Sequence, residues 1–382
     1  MMNNISDFSK CSNCGACYNA CPKTAITVES DMFYKPVVDE NKCTHCGLCK
    51  TVCPVNNPND TQSLKSAYAM YHTDSEIVKK SSSGGAFFAI ANYVIENLGG
   101  VVYACAYTDD CREVVVKSSD EVSIYALMKS KYVESKVNLS FREIKTSLTS
   151  GKTVLFCGAP CQVAGLKRYL SKEYENLITC DFSCEGMASH QTYHEYLDYI
   201  EKKLKSKIKS VDFRAKLFGW SRHSIRITGE NGKQYKNFAF SDPYFYSFIG
   251  KCTNLKEYCL SCDFANNHYA DIILADFWGY KRISKIKNDD TGLSLVITNS
   301  KKGEDLIKKI SPQATLTVLD LQKASYNMKE RKPSDEFLQK RSAFFEECRK
   351  DGFIKTMKKV KMPSKSKLKF RYIMSKLKER IF

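Results

Sequence analysis

The sequence lacks any run long enough to cross a bilayer. Its longest apolar stretch, Ala86–Ile95, is interrupted by Asn92 and is about half the ~20 residues a transmembrane helix needs. It lacks a secretion signal as well. The opening MMNNISDFSKC has neither a basic start nor an apolar segment, so a cytoplasmic location is expected. Glycine (18) and proline (9) are too few in 382 residues for a fibrous chain. There is no G-x-G-x-x-G, so a standard dinucleotide fold has no support. Nothing beyond charge suggests nucleic acid, and no such partner is expected. What is present is globular material, 43% hydrophobic, 12% aromatic and 26% charged, which rules out a disordered chain. The length allows about two or three domains.

Cysteine is abundant and unevenly placed. Of 18 cysteines, eight lie between Cys11 and Cys53. In a reducing compartment such a count points to metal or redox chemistry rather than disulfides. The charge is uneven too. Of the net +17, residues 349–382 contribute +11, with 13 Lys/Arg against Asp351 and Glu379.

Residues 11–22 read C-S-N-C-G-A-C-Y-N-A-C-P, and residues 43–54 read C-T-H-C-G-L-C-K-T-V-C-P. This is one C-x-x-C-x-x-C-x-x-x-C-P motif repeated at an offset of 32 residues. A 4Fe–4S cluster needs four soft thiolates; a tight loop supplies three, and in two-cluster proteins the fourth serves the other cluster. The pattern therefore predicts one cluster on Cys11, Cys14, Cys17 and Cys53, and a second on Cys43, Cys46, Cys49 and Cys21. Gly15 and Gly47 permit the sharp loops, and Pro22 and Pro54 turn the chain afterwards. Structural zinc sites pair two C-x-x-C knuckles across a longer spacer, which fits poorly. The segment resembles the bacterial dicluster ferredoxin module over residues 5–58. His45 reads as a solvent-facing loop residue, since eight thiolates already fill two clusters.

Residues 55–65 read as a linker. Beyond it, strands are expected at 66–71, 100–107, 114–117, 153–157, 177–182, 271–275 and 294–299. Helices are expected at 86–97, 141–149, 161–170 and 191–205, with hairpins from there to about residue 239. Strands alternating with helices predict an α/β domain with a partly parallel sheet.

Three pieces of this domain could hold chemistry. Ser81–Gly85 precedes an apolar helix, and either binds a phosphate at the helix start or is an ordinary serine cap with a flexible loop. In V-L-F-C-G-A-P-C-Q (154–162), Cys161 opens a helix and could be a nucleophile, a redox thiol or a cluster ligand; Cys157 reads as a packed small residue. Cys259 and Cys262 form an isolated C-x-x-C, which is half a site. Cys161 and Cys184, both at strand-end turns, are the best candidates to complete it. Cys105, Cys111, Cys180, Cys252 and Cys348 read as packing residues or exposed thiols.

These residues also resemble the beta-subunit family of deazaflavin-coenzyme-reducing hydrogenases and dehydrogenases. They resemble most its bacterial branch with a fused N-terminal ferredoxin, often associated with polysaccharide synthesis. The resemblance spans residues 5–310. It is carried by S-S-S-G-G-A-F (81–87), K-S-K-Y-V-E-S (129–135), V-L-F-C-G-A-P-C-Q-V-A-G-L-K (154–167), C-E-G (184–186), F-R-A-K-L-F-G-W (213–220), C-L-S-C-D-F (259–264), D-I-I-L-A-D-F-W-G (271–279) and D-D-T-G-L-S-L-V (289–296). It implies an α/β flavin-binding domain with FAD and its own 4Fe–4S cluster, passing electrons to an organic acceptor. By this resemblance Ser83, Gly84 and Gly85 face the flavin phosphates, and Cys161, Cys184, Cys259 and Cys262 hold a third cluster. Two departures stand out. Ala159 replaces the usual Thr, and Glu185 puts an anion where the branch usually has His. Lys131, Glu185 and Arg214 are candidates by position for the acid or base.

Three domains follow: 1–58 (two-cluster ferredoxin type), 66–345 (α/β, FAD and iron–sulfur) and 349–382 (basic tail). In the tail Phe370, Ile373, Met374, Leu377 and Ile381 recur at helical spacing among Lys and Arg. That helix either docks on an anionic membrane surface at the inner face or packs on the domain. The expected function is an iron–sulfur flavoprotein oxidoreductase with a small organic acceptor. The alternative is an electron-transfer subunit serving a redox partner protein or ferredoxin, with no substrate of its own.

Overall fold

The computed structural model describes residues 10–59, 63, 65–251, 253–283, 286–324 and 333–381, with backbone alone for 375–381. Cys252, part of the 55–65 linker, and the side chains of Leu377 and Ile381 therefore lie outside the described residues.

The cysteine-rich segment is built on one hairpin. β1 (Ile26–Ser30) pairs antiparallel with β2 (Tyr34–Val38), and short helices Ala16–Ala20 and Leu48–Thr51 follow the two cysteine loops. The first helix lies on Pro160–Leu170 of the body. Gly165 permits that approach, because a Cβ there would stand 2.9 Å from Cys14 Sγ. Arg142 closes the open end of Ala16–Ala20, donating to the carbonyls of Asn19 (2.8 Å) and Cys21 (2.7 Å). A cation at a helix C-terminus satisfies carbonyls that have no intrahelical partner.

The body contributes β3 (Ser66–His72), β4 (Val101–Tyr107), β5 (Val114–Ser118), β6 (Ser135–Lys136), β7 (Val154–Cys157) and β8 (Leu177–Phe182). It continues with β9 (Ile208–Asp212), β10 (Ser224–Gly229), β11 (Gln234–Phe238), β12 (Ile272–Asp276), β13 (Ser294–Thr298) and β14 (Ala314–Leu319). Nine of these form one sheet in the order β14–β3–β13–β12–β8–β7–β4–β5–β6. β12, β8, β7 and β4 run parallel as its centre. The neighbours on either side, β13 and β5, are antiparallel to that centre.

The central strands are apolar on both faces because both faces are covered. Val101, Tyr103, Val154, Phe156 and Leu177 face helices Ser140–Thr149 and Pro160–Leu170. Their neighbours Val102, Ala104, Leu155 and Ile178 face helices Ala86–Leu98 and Lys301–Lys309. β9, β10 and β11 form a separate antiparallel sheet packed with helix His190–Leu204.

The expected tail at 349–382 begins later. Helix Asp335–Asp351 runs through the expected boundary, and Phe344, Phe345, Cys348, Phe353 and Met357 are all buried with the β9–β11 sheet. The apolar spacing continues across residue 349, so residues 349–359 belong to the body despite their charge. The helix Lys365–Ile381, after Pro363, lies against β11, Lys365 donating to the Lys236 carbonyl at 3.2 Å, with an exposed outer face among the described residues. Tyr372 rests against Phe218 (5.6 Å) and under Arg222 (5.1 Å), while Phe370, Ile373 and Met374 are exposed.

Candidate functional site

Each N-terminal cysteine loop turns twice through left-handed backbone. Asn13 (φ 54°) and Gly15 (φ 89°) do so in the first loop, and His45 (φ 52°) and Gly47 (φ 77°) in the second. The 32-residue repeat of the sequence is thus a repeat of conformation, and it brings three thiols of each motif to one side. Asn and His tolerate this region better than most residues, a turn requirement at positions 13 and 45 that the motif reading missed. The N–H groups of the same two residues donate to sulfur, Asn13 to Cys11 (3.3 Å) and His45 to Cys43 (3.4 Å).

The structure brings the fourth cysteines across. Cys53 stands beside Cys11, Cys14 and Cys17, close enough to act electrostatically on all three. Cys21 lines one hollow with Cys43, Cys46 and Cys49, and Ala25 N–H donates to Cys21 Sγ at 3.3 Å. Burial pushes the Cys14 thiol up to about 12, and neighbouring thiols add to it. A buried group of thiols ionises only where a cation takes up the charge, as iron does.

A third group forms where the parallel strands end. Cys157 lies opposite Cys180 in the β7/β8 register, so the chain leaves both strands side by side. After β7, Pro160 starts a helix, and Gln162 Oε1 accepts the Ala159 N–H at 2.9 Å. This fixes Cys161 on the first turn. After β8 the chain reaches Cys184, whose sulfur accepts the Gly186 N–H at 3.4 Å. Cys259 and Cys262 arrive from the short turn Glu257–Ser261. All four line one hollow with Ser12, Pro160, Met187, Tyr258 and Phe264. No carboxylate or imidazole enters that wall among the described residues. Burial pushes Cys259 up to about 12 and Cys262 up to about 11. Four sulfurs, an apolar wall and an N–H aimed at sulfur fit a 4Fe–4S cluster.

The first and third groups touch. Cys161 Sγ is 3.9 Å from the Ser12 carbonyl, and the Cys161 thiol is influenced by Cys14 as well as by Cys262, Cys184 and Cys259. The second group lies at the surface, with Cys46 and Leu48 exposed.

The Ser81–Gly85 loop sits at the junction of β3 and β13. The Ser83 hydroxyl donates to the Leu293 carbonyl (2.7 Å), and the Gly84 N–H donates to Ser294 Oγ (2.9 Å). Both groups are thus engaged within the protein. A phosphate here would instead meet the first-turn N–H groups of helix Ala86–Leu98, which has no side-chain cap. Arg214 supports the loop, donating to the Ser82 carbonyl (3.1 Å) and to both oxygens of Asp276 (2.7 and 3.1 Å). Burial opposes ionisation of Asp276, but Arg214 and the Trp220 N–H hold its carboxyl below the usual value. Arg214, a positional candidate for the acid or base, is thereby a buried structural partner.

Lys216, which the sequence did not single out, clamps the same loop. Its ammonium donates to the carbonyls of Val78 (2.7 Å), Ser83 (2.8 Å) and Thr291 (2.7 Å). Burial, and then Arg214, pushes it down to about 7. A lowered lysine is charged in the unfolded chain up to about pH 10 but neutral in the fold above about 7. Its unfavourable contribution is therefore full below pH 7 and fades as pH rises through that window. The stability of the parent relative to Lys216→Met rises between pH 7 and about 10 in urea denaturation; a constant difference would contradict this.

Lys131 donates to the Met128 carbonyl at 2.6 Å, and burial pushes it down to about 8. It lies near the thiols of Cys105 and Cys157. Glu185 is exposed beside Cys184. His45 is exposed, 3.7 Å from Glu40. Cys111, Cys180 and Cys348 are buried packing residues.

Comparison with known proteins adds independent findings. Residues 151–324 match the family described as the C terminus of the coenzyme F420 hydrogenase/dehydrogenase beta subunit. Residues 10–57 and 35–85 match 4Fe–4S dicluster domains. A chain of the F420-reducing [NiFe] hydrogenase complex from Methanosarcina barkeri is similar in structure, at 15% identity and a TM-score of 0.45, covering 78% of this chain and 91% of that chain. No curated protein matches the chain.

Proposed function

With residues 151–324 belonging to the coenzyme F420 hydrogenase/dehydrogenase beta-subunit family, behind an N-terminal 4Fe–4S dicluster domain, we propose that the protein is an iron–sulfur flavoprotein oxidoreductase. It passes electrons between 4Fe–4S clusters, FAD and an organic acceptor. The observation that carries this reading is the row of three cysteine groups, the first sharing a wall with the third.

The chain's own residues do three things in this reading. Cys11, Cys14, Cys17 and Cys53 hold one cluster, Cys21, Cys43, Cys46 and Cys49 a second, and Cys161, Cys184, Cys259 and Cys262 a third. The helices Pro160–Leu170 and Ala16–Ala20, pressed together at Gly165 and Cys14, keep two groups close and exclude water. The loop Ser83, Gly84 and Gly85 shapes the start of helix Ala86–Leu98 as a seat for flavin phosphates, with Lys216 and Arg214 holding the loop in place. A flavin supplies the exchange between single electrons and a hydride pair.

A second reading, an electron-transfer subunit without a small-molecule substrate, is favoured by the exposed second group, which a redox partner protein can reach. Stopped-flow mixing separates the two. Flavin reduced by reduced ferredoxin is reoxidised by an organic acceptor in the first reading, and by a partner protein alone in the second. The basic helix Lys365–Ile381, with Phe370, Ile373 and Met374 outward, is proposed to rest on an anionic membrane. Co-sedimentation with liposomes then requires anionic lipid and falls as salt rises; no binding at low salt refutes it.

A further inference from the structure

A buried ion pair lies between the first and third cysteine groups. Lys256 Nζ is 2.8 Å from Glu134 Oε1, and the two side chains are 12% and 0% exposed. Glu134 reaches the first group through Asn13, whose side-chain amide donates to Oε1 at 3.2 Å from between Cys11 and Cys14. Lys256 reaches the third through its carbonyl, which accepts the Cys259 N–H at 3.0 Å. Tyr34 ties the pair to the hairpin, its N–H donating to Glu134 Oε2 (2.8 Å) and its carbonyl accepting from Lys256 (3.0 Å). His190 stacks on Tyr34 at 3.8 Å and stands 3.7 Å from the same carboxylate.

An ion pair taken out of water gives little net stability. Packing alone is therefore a weak reason for placing one here, between two groups of redox ligands. Adding an electron to a cluster adds negative charge. A nearby cation stabilises the reduced form and an anion opposes it, most strongly where water is excluded. Each charge is anchored beside one group, Glu134 at Asn13 between Cys11 and Cys14, and Lys256 three residues before Cys259, whose N–H its carbonyl accepts. The second group lines a hollow whose wall contains neither residue.

We propose that Glu134 and Lys256 are a shared electrostatic control of the two inner clusters, with Lys256 raising both reduction potentials together and Glu134 restraining that rise. The pair keeps the inner clusters matched while leaving the outer cluster independent. This rests on the cluster reading given above, and it casts both residues as positioning and tuning elements rather than ligands.

The test is a potentiometric titration followed by electron paramagnetic resonance on anaerobically purified full-length protein, alongside iron analysis. Signals are assigned with Cys259→Ser and Cys46→Ser. Lys256→Met lowers the potentials of both inner clusters, and Glu134→Gln raises both. Each shift is about tenfold in the reduction equilibrium, about 59 mV for one electron. The outer cluster does not move, and the double variant returns toward the parent. Should Lys256→Met lose iron, Glu134→Gln decides alone. Shifts of the same sign in the two variants, equal shifts in all three clusters, or no shift at unchanged iron content would overturn the proposal. A parent with about eight irons overturns the three-cluster reading itself, and iron analysis shows this separately.

Discussion

Cys259→Ser holds about eight irons per chain where the parent holds about twelve. The expectation follows from how the third group is assembled. Cys161 and Cys184 are set by the ends of β7 and β8, so they persist in the variant with Cys262, but a 4Fe–4S cluster needs four ligands and three thiolates leave one iron open. Cys259 is buried in an apolar wall, where a hydroxyl would have to ionise in surroundings that already push a thiol up to about 12. Serine is therefore a poor substitute ligand at this position. The four N-terminal irons around Cys53 and the four around Cys21 stay, because neither group uses a residue of the 259–262 turn. Equal iron in variant and parent, measured by colorimetric assay against protein concentration, contradicts a third cluster.

Gly84→Ala destabilises the protein by about 3 kcal/mol, at the upper end of what overpacking costs, and, under the proposed flavoprotein function, loses bound flavin. The added carbon would stand 2.3 Å from the Met70 carbonyl and 2.7 Å from the Ser294 N–H, a pair matched across β3 and β13. Both obstacles are backbone in the sheet and cannot swing aside. The loop must lift, breaking the Gly84 N–H to Ser294 bond and the bond from the His72 N–H to the Gly84 carbonyl. The seat at the start of helix Ala86–Leu98 moves with it. Gly99→Ala is the control. It shares the helix but meets no atom within 4 Å, so it costs about 1 kcal/mol through its left-handed backbone. Urea denaturation and flavin absorbance on both variants check this. A Gly84→Ala protein as stable and as yellow as Gly99→Ala contradicts it.

Much of this was legible in the sequence because the signals are local. The strand expected at 153–157 is β7 (Val154–Cys157), and the helix expected at 86–97 is Ala86–Leu98; apolar runs and glycine boundaries suffice for these. The two cysteine motifs were legible because thiol spacing and chemistry are both written in twelve residues. What was not legible depends on residues far apart. The antiparallel flank β14–β3–β13 needs partners more than 200 residues distant. Glu134 and Lys256 are 122 residues apart, and nothing in either segment announces an ion pair. Lys216 looks like one lysine among many until three carbonyls converge on it. The tail misled for a related reason. Its charge is a surface property, and the buried stripe through Phe353 and Met357 decides where the body ends.

The central claim is a chain of three clusters feeding a flavin. Iron, sulfide and flavin analysis of protein purified without oxygen tests it most directly. The account predicts about twelve irons, about twelve acid-labile sulfides and one FAD per chain. About eight irons with no flavin would contradict it.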